Sequence, residues 1–188
     1  AYIADELSGT DLLDELIKTG KAPELSESRR KDLEEVHQML LDWLPTLKAE
    51  NKVEHPGFEW FNLSFSRGTV INALYMVSLL LHTQEALDDF LAQKIPSWSI
   101  HIFSSYYADA GEDAYRDFFF SQVLPTGTPE ARRGFLLRNA LNFENDSLFL
   151  VFREAFLREQ FTEKEIKSLD VKFKSKVSTT RQRAVQLL

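Results

Sequence analysis

The sequence predicts an all-α fold, a single compact domain of about eight helices arranged as a bundle or as stacked helical hairpins. Turn-forming residues are sparse, with 7 glycines and 6 prolines among 188 residues, whereas a sandwich or barrel needs a turn about every 8–12 residues. Residues 69–82 carry no charge and are apolar on almost every side, which predicts a central helix buried on almost every side. Elsewhere apolar residues recur at helical spacings of three and four.

Local signals place the helices before the central one. A short helix over 10–18 is followed by Gly20, which stands where a left-handed residue ends a helix. Ser26 or Ser28 is expected to cap a longer helix that runs to about Leu44. That helix has a broad apolar stripe, which we expect to face the core. The residues of the stripe are Leu33, Val36, Met39, Leu40, Leu41, Trp43 and Leu44.

After the central helix, Thr83 is expected to cap a helix that Pro96 ends. Residues 97–110 combine strand-like alternation with helical spacing, and we interpret them as a helix because their neighbours are helical. Residues 112–124 read as a further helix, stopped by Pro125.

Two further starts lie in the C-terminal part. Thr128 followed by proline predicts a helix that continues to about residue 143. Asn145 or Asp146 is expected to cap the next helix, whose apolar residues run as far as Leu157. Thr162 and Glu165 have the spacing of a capping box at the start of the last helix.

Charge is distributed unevenly along the chain. Residues 163–188 contain seven basic and three acidic residues, a net charge of +4. Because the whole chain has a net charge of −7, the remaining residues have a net charge of −11. We expect residues 1–188 to form one helical domain, with 1–9 as a loose lead-in and 163–188 as a basic C-terminal helix. The acidic body argues against nucleic-acid binding. Three alternating lysines of the basic end could instead dock an acidic protein partner. They are Lys172, Lys174 and Lys176.

Several chemistries find little support in the sequence. Without cysteine, a disulfide scaffold, a thiolate metal site and a cysteine nucleophile are excluded. Glu34 and His37 form an i, i+3 pair of the kind that di-iron bundles use, but the second pair is missing. A metal site built from His37, His82 and His101 is geometrically possible. Arg67, just before the central helix, could help to bind an anion, but the segment lacks the further glycines and the lysine of a phosphate loop, so helix capping explains it better. The sequence predicts no catalytic residue, no metal and no cofactor.

Aromatic residues are the compositional excess, at 12% of the chain. Residues 118–120 are three consecutive phenylalanines that point in different directions on one helical turn, so we expect at least one to be exposed. Aromatic anchors are typical of protein-binding surfaces. The candidate anchors are Tyr106, Tyr107, Phe119 and Phe120.

We therefore expect a non-catalytic protein–protein interaction module: an adaptor, a regulatory or inhibitory partner, or part of a larger assembly. The alternatives are a metal-dependent helical-bundle enzyme and a protein that binds an apolar small molecule between its helices. The central segment, at 14 residues, is shorter than the roughly 20 that a membrane span needs. Together with the lack of cysteine, this leads us to expect a cytoplasmic protein without a membrane span.

Overall fold

The computed structural model describes four ranges of the chain, the first of which omits residues 17 and 23. Most of the residues in these ranges are helical and none lies in a β-strand, which confirms the predicted all-α class. The described residues are 16, 18–22, 24–47, 67–95, 116–140 and 146–167. The lead-in 1–9, the ambiguous segment 97–110 and most of the basic end lie outside them.

Five α-helices make up most of the described structure, and they are α1 Glu27–Trp43, α2 Arg67–Leu81, α3 Gln84–Leu91, α4 Pro129–Asn139 and α5 Asp146–Arg158. Two 3₁₀ turns, Leu44–Thr46 and Leu124–Thr126, and a π-helix, Phe119–Val123, complete the assigned elements. Residues 163–167 add a further helical turn. The described elements agree with the expected number of about eight helices. No helix in this part of the chain is long and apolar enough to cross a membrane.

Helix α2 is central, as predicted. Ile71, Leu74 and Val77 are completely buried, and α2 packs against both α1 and α3. The helix spans Arg67–Leu81 rather than 69–82. It ends one residue early because His82 has a φ of 49°, which is outside the right-handed helical region.

The core around α2 is a single cluster rich in aromatic rings. Tyr75 lies 4.8 Å from Phe90 and 5.8 Å from Phe119, measured between ring centroids, and Phe119 lies 5.4 Å from Phe135. These separations are typical of favourable aromatic pairs. Burial raises the pKa of the Tyr75 hydroxyl far above its ordinary value. Each of four elements, α2, α3, the π-helix and α4, thus contributes one ring to this aromatic cluster, and the ring contacts hold the four elements together.

Five of the predicted local signals are confirmed, those at Gly20, Ser26, Thr83, Thr128 and Thr162. Gly20 has a φ of 66° and its N–H donates to the Leu16 carbonyl. Ser26, rather than Ser28, caps α1 by accepting a hydrogen bond from an N–H three residues on, and Thr83 and Thr128 do the same for α3 and α4. Thr162 and Glu165 form both bonds of the capping box.

The helix predicted over 112–124 is the main correction. The chain is α-helical at 116–118, widens into the π-helix and then tightens into the second 3₁₀ turn. Pro125 has no N–H, and in an α-helix its ring would clash with the carbonyl of Ser121. The Leu124 N–H instead donates to the Phe119 carbonyl, five residues back. The proline therefore lies inside the tightened turn rather than just after a regular helix.

Two other helices are shorter than predicted. Helix α3 ends at Leu91, whose carbonyl accepts a hydrogen bond from Arg138 Nη2 at 2.6 Å. Helix α4 ends at Asn139, four residues before the predicted end. Arg30 and Arg67 similarly donate to the carbonyls of Leu81 and Leu44. Guanidinium groups thus satisfy helix-end carbonyls across the fold, a favourable arrangement for a cation at a helix C-terminus.

Candidate functional site

The predicted partner-binding residues separate into two groups. Tyr106 and Tyr107 lie outside the described residues, as do Lys172, Lys174 and Lys176. Their roles remain predictions. Arg67, considered for an anion site, is directed at the carbonyls of Leu44 and Leu47.

Phe119 and Phe120 are in the core, so the expectation that they form an exposed aromatic surface is corrected. They are 2% and 7% exposed. Phe119 contacts Tyr75 edge-on, and Phe120 contacts Phe152 of α5 in the same manner at 6.4 Å. The cause is the π-helix, which begins at Phe119 and turns both rings inwards. Phe118 alone among the three is half-buried.

The histidines are not gathered into a metal site within the described part of the chain. His37 is buried, and its Nε2 lies 3.8 Å from Asp89 Oδ2, too far for a hydrogen bond. Burial raises the pKa of Asp89, opposed by the attraction of His37. Glu34 is exposed, whereas His37 is buried. No three His, Asp or Glu side chains are grouped as ligands among the described residues.

An exposed apolar surface lies on α1, where the sequence predicted core. Trp43 is 45% exposed and Met39 38%. The buried face of α1 is formed by Leu33, His37 and Leu40 instead. Met39 and Trp43 are i, i+4 neighbours and therefore adjacent on the helix surface. The signal was present in the sequence, because a broad stripe covers more of the circumference than a single packed face can bury.

Carboxylates surround this surface. Asp32, Met39 and Trp43 follow an i, i+7, i+11 spacing, which places them in one strip along the helix. Glu35 and Asp42 are exposed beside that strip. Asp42 accepts a hydrogen bond from the Gln38 amide at 2.9 Å. None of the three carboxylates forms an ion pair with another described residue. We refer to Asp32, Glu35, Met39, Asp42 and Trp43 as the Trp43 face.

Helix α5 has a second exposed apolar pair. Leu150 is 60% exposed and Leu157 56%, on the side of the helix opposite to Phe152 and Phe156. Leu157, the last apolar residue of the predicted helix, therefore lies outside the core. The adjacent charges neutralise each other, since Arg158 pairs with Glu154 at 3.4 Å. The surface formed by Leu150 and Leu157 is apolar like the Trp43 face but lacks its excess of negative charge.

A cavity of about 280 Å³ lies beside the central helix and is partly open to solvent. It is enclosed by the last turn of α2, the first turn of α3, the π-helix and the end of the helix before Gly20. The residues around it that matter below are Leu79, His82, Leu87, Phe118 and Gln122. We refer to it as the His82 pocket.

The fold and these two sites define an all-helical protein with an acidic-rimmed apolar surface and a small pocket. Comparison with known families identifies it further: the chain belongs to a family of unknown function, DUF5724, which it matches over residues 1–188. No curated protein and no solved structure matches it.

Proposed function

We propose that the chain is a non-catalytic helical protein-interaction module that docks a partner on the Trp43 face. The observation that carries the proposal is the exposed indole of Trp43 with the Met39 side chain beside it. Tryptophan is enriched among the residues that dominate binding energy at protein interfaces. Methionine is flexible and polarisable, which allows it to adapt to a partner's side chains.

The area available supports an energetically useful contact. A Trp side chain that is 45% exposed leaves on the order of 100 Å² to cover, worth roughly 2.5 kcal/mol on burial. Met39 adds to this area as its i+4 neighbour. The two side chains together can therefore act as the anchor of a small interface.

The surrounding charge specifies the chemistry of the partner. Three carboxylates that form no ion pair within the described part of the chain border the apolar strip, and the whole chain has a net charge of −7. A complementary segment carries apolar residues flanked by lysine or arginine. An amphipathic helix with that pattern meets both requirements, because its apolar stripe and its cations lie side by side.

A defined peptide tests the proposal. The test peptide is an amphipathic helix with a stripe of leucines beside a stripe of lysines. We expect calorimetry to show that it binds the protein, and that a peptide with glutamate in place of lysine binds at least tenfold more weakly. Trp43→Ala should weaken binding of the lysine peptide by about tenfold or more, the effect of losing an interface anchor. Leu150→Ala is the matched control, since it truncates an equally exposed apolar residue.

Two results would contradict the proposal. One is binding of the lysine peptide that is unchanged by Trp43→Ala but lost with Leu150→Ala, which would move the docking surface to α5. The other is equal binding of both peptides, which would show that the carboxylates do not select the partner. Asp32→Asn with Glu35→Gln should flatten the salt dependence of the complex, since fewer exposed charges remain to be screened.

A further inference from the structure

We propose that the His82 pocket binds a small neutral ligand with an aromatic or branched aliphatic body and one hydrogen-bonding group. This goes beyond protein docking, because the pocket lies between α2, α3 and the π-helix and includes none of the residues of the Trp43 face. Its size, its walls, its polar groups and its backbone geometry each restrict the ligand.

The size and the walls select a compact apolar molecule. A volume of about 280 Å³ is at the lower limit of ligand pockets, which span about 300–1,000 Å³. Leu79 and Leu87 form buried walls, and the half-buried Phe118 ring forms another. These surfaces favour a ligand about as large as a bicyclic aromatic ring, whose faces would replace water against the leucines.

The polar groups stand on exposed residues of the lining. The side chains of His82 and Gln122 have no hydrogen-bond partner among the described residues, and both line the pocket. The Gln84 amide, by contrast, already donates to Asp88 Oδ1 at 3.1 Å. An imidazole and a carboxamide can each donate and accept, so they fit one hydrogen-bonding group on the ligand.

The local electrostatics favour a neutral ligand over a charged one. No carboxylate, lysine or arginine side chain is among the described residues that line the pocket. An anion would therefore lose hydration without gaining a cationic partner, and a cation would lose it without gaining an anionic one. A neutral molecule avoids both costs.

Two irregularities of the backbone meet at this pocket. His82 is the one non-glycine residue with positive φ in the described part of the chain, and such conformations cluster at binding sites. The π-helix supplies Gln122 and Val123, and single π turns within helices are frequent at functional sites. Pro125 explains why the α-helical geometry ends. It does not explain why the π-helix lies at the position from which Gln122 lines the pocket.

Indole is the probe, because it is a neutral bicyclic ring with one N–H donor. We expect saturable indole binding that shifts the methyl NMR signals of Leu79, Leu87 and Val123. Gln122→Trp should weaken it at least tenfold by filling the pocket. Ser121→Trp is the matched control, since it places the same side chain on a neighbouring exposed residue of the π-helix that does not line the pocket. It should change binding less than twofold.

A second variant keeps the test decisive if Gln122→Trp does not fold. His82→Gly removes the imidazole but readily adopts positive φ, so it should weaken indole binding without lowering the melting temperature. Three results would overturn the proposal: no saturable shift in wild type, shifts confined to other methyl groups, or unchanged binding in both variants. Benzoate, a charged ring of similar size, should bind more weakly, and equal binding would refute neutral selectivity. Trp43→Ala should leave indole binding intact, which separates this proposal from the docking surface.

Discussion

Asn139 joins the end of α4 to the segment after α3, and replacing it with leucine tests how the two halves of the core are held together. Its side chain is completely buried. Oδ1 accepts from the Ile95 N–H at 2.9 Å, and Nδ2 donates to the Phe135 carbonyl at 2.8 Å. A longer contact of 3.5 Å reaches the Gln93 carbonyl. Leucine has a similar volume but can make none of these bonds.

The expected loss of stability follows from the hydrogen bonds that leucine cannot form. In Asn139→Leu, the buried Ile95 N–H loses its hydrogen bond to Asn139 Oδ1, which costs about 1–3 kcal/mol. Loss of the Nδ2 hydrogen bonds adds roughly 1 kcal/mol, and the gain from a more apolar side chain offsets part of the total. A net loss of about 2 kcal/mol corresponds to a fall of about 6 °C in Tm for a chain of this size.

Thermal unfolding followed by circular dichroism measures the effect, and Asn139→Asp is the matched control. The new carboxyl keeps an acceptor for Ile95, but when ionised it faces the Phe135 carbonyl without a proton to donate. Burial raises the pKa of a carboxyl above its unfolded value of about 3.9. The variant should therefore lose stability relative to wild type as pH rises from that value towards the folded-state pKa. A Tm for Asn139→Leu within about 2 °C of wild type would refute the reasoning.

Three further predictions follow from the same structure. Leu74→Asp places an unpaired charge in a completely buried site of α2 and should abolish cooperative unfolding in thermal melts; a parental melt would mean that α2 is not central. Burial raises the pKa of Asp89, so its ionisation disfavours the folded state, and Asp89→Asn should gain stability relative to wild type as pH rises above about 3.9; an unchanged difference in Tm between pH 3 and pH 6 would contradict this. Replacing the three alternating lysines of the basic end with glutamine should slow association with an acidic partner and weaken the salt dependence of the association rate. If association at low salt is unaffected, these lysines only contact solvent and do not dock a partner. The lysines concerned are Lys172, Lys174 and Lys176.

The helix starts could be predicted because the signals are local. Ser26, Thr83 and Thr128 each accept a hydrogen bond from an N–H only three residues on, so the residue type and its position carry the information. The central helix could be predicted for the same reason, since an uncharged segment with no polar face has few alternatives to burial.

The helix ends and exposed faces depend on distant residues. Arg138 reaches Leu91 across 47 positions of sequence, and no local pattern indicates that contact. Whether Trp43 faces the core depends on which part of the α1 stripe α2 covers. The π-helix could not be predicted from the sequence either, because the spacing of Phe119 and Phe120 fits a regular α-helix as well as a π-helix. The tertiary environment decides between the two.

The central claim, that a partner covers Trp43, is tested most directly by a variant in which this is the sole tryptophan. Trp60→Phe and Trp98→Phe remove the other two, so the remaining emission reports on the Trp43 indole. Without peptide, the emission should be red-shifted, as expected for a side chain that is 45% exposed. Addition of the leucine–lysine peptide should produce a saturable blue shift that is absent with the glutamate peptide. Emission that stays unchanged while calorimetry records binding would contradict the account, because the partner would then dock elsewhere.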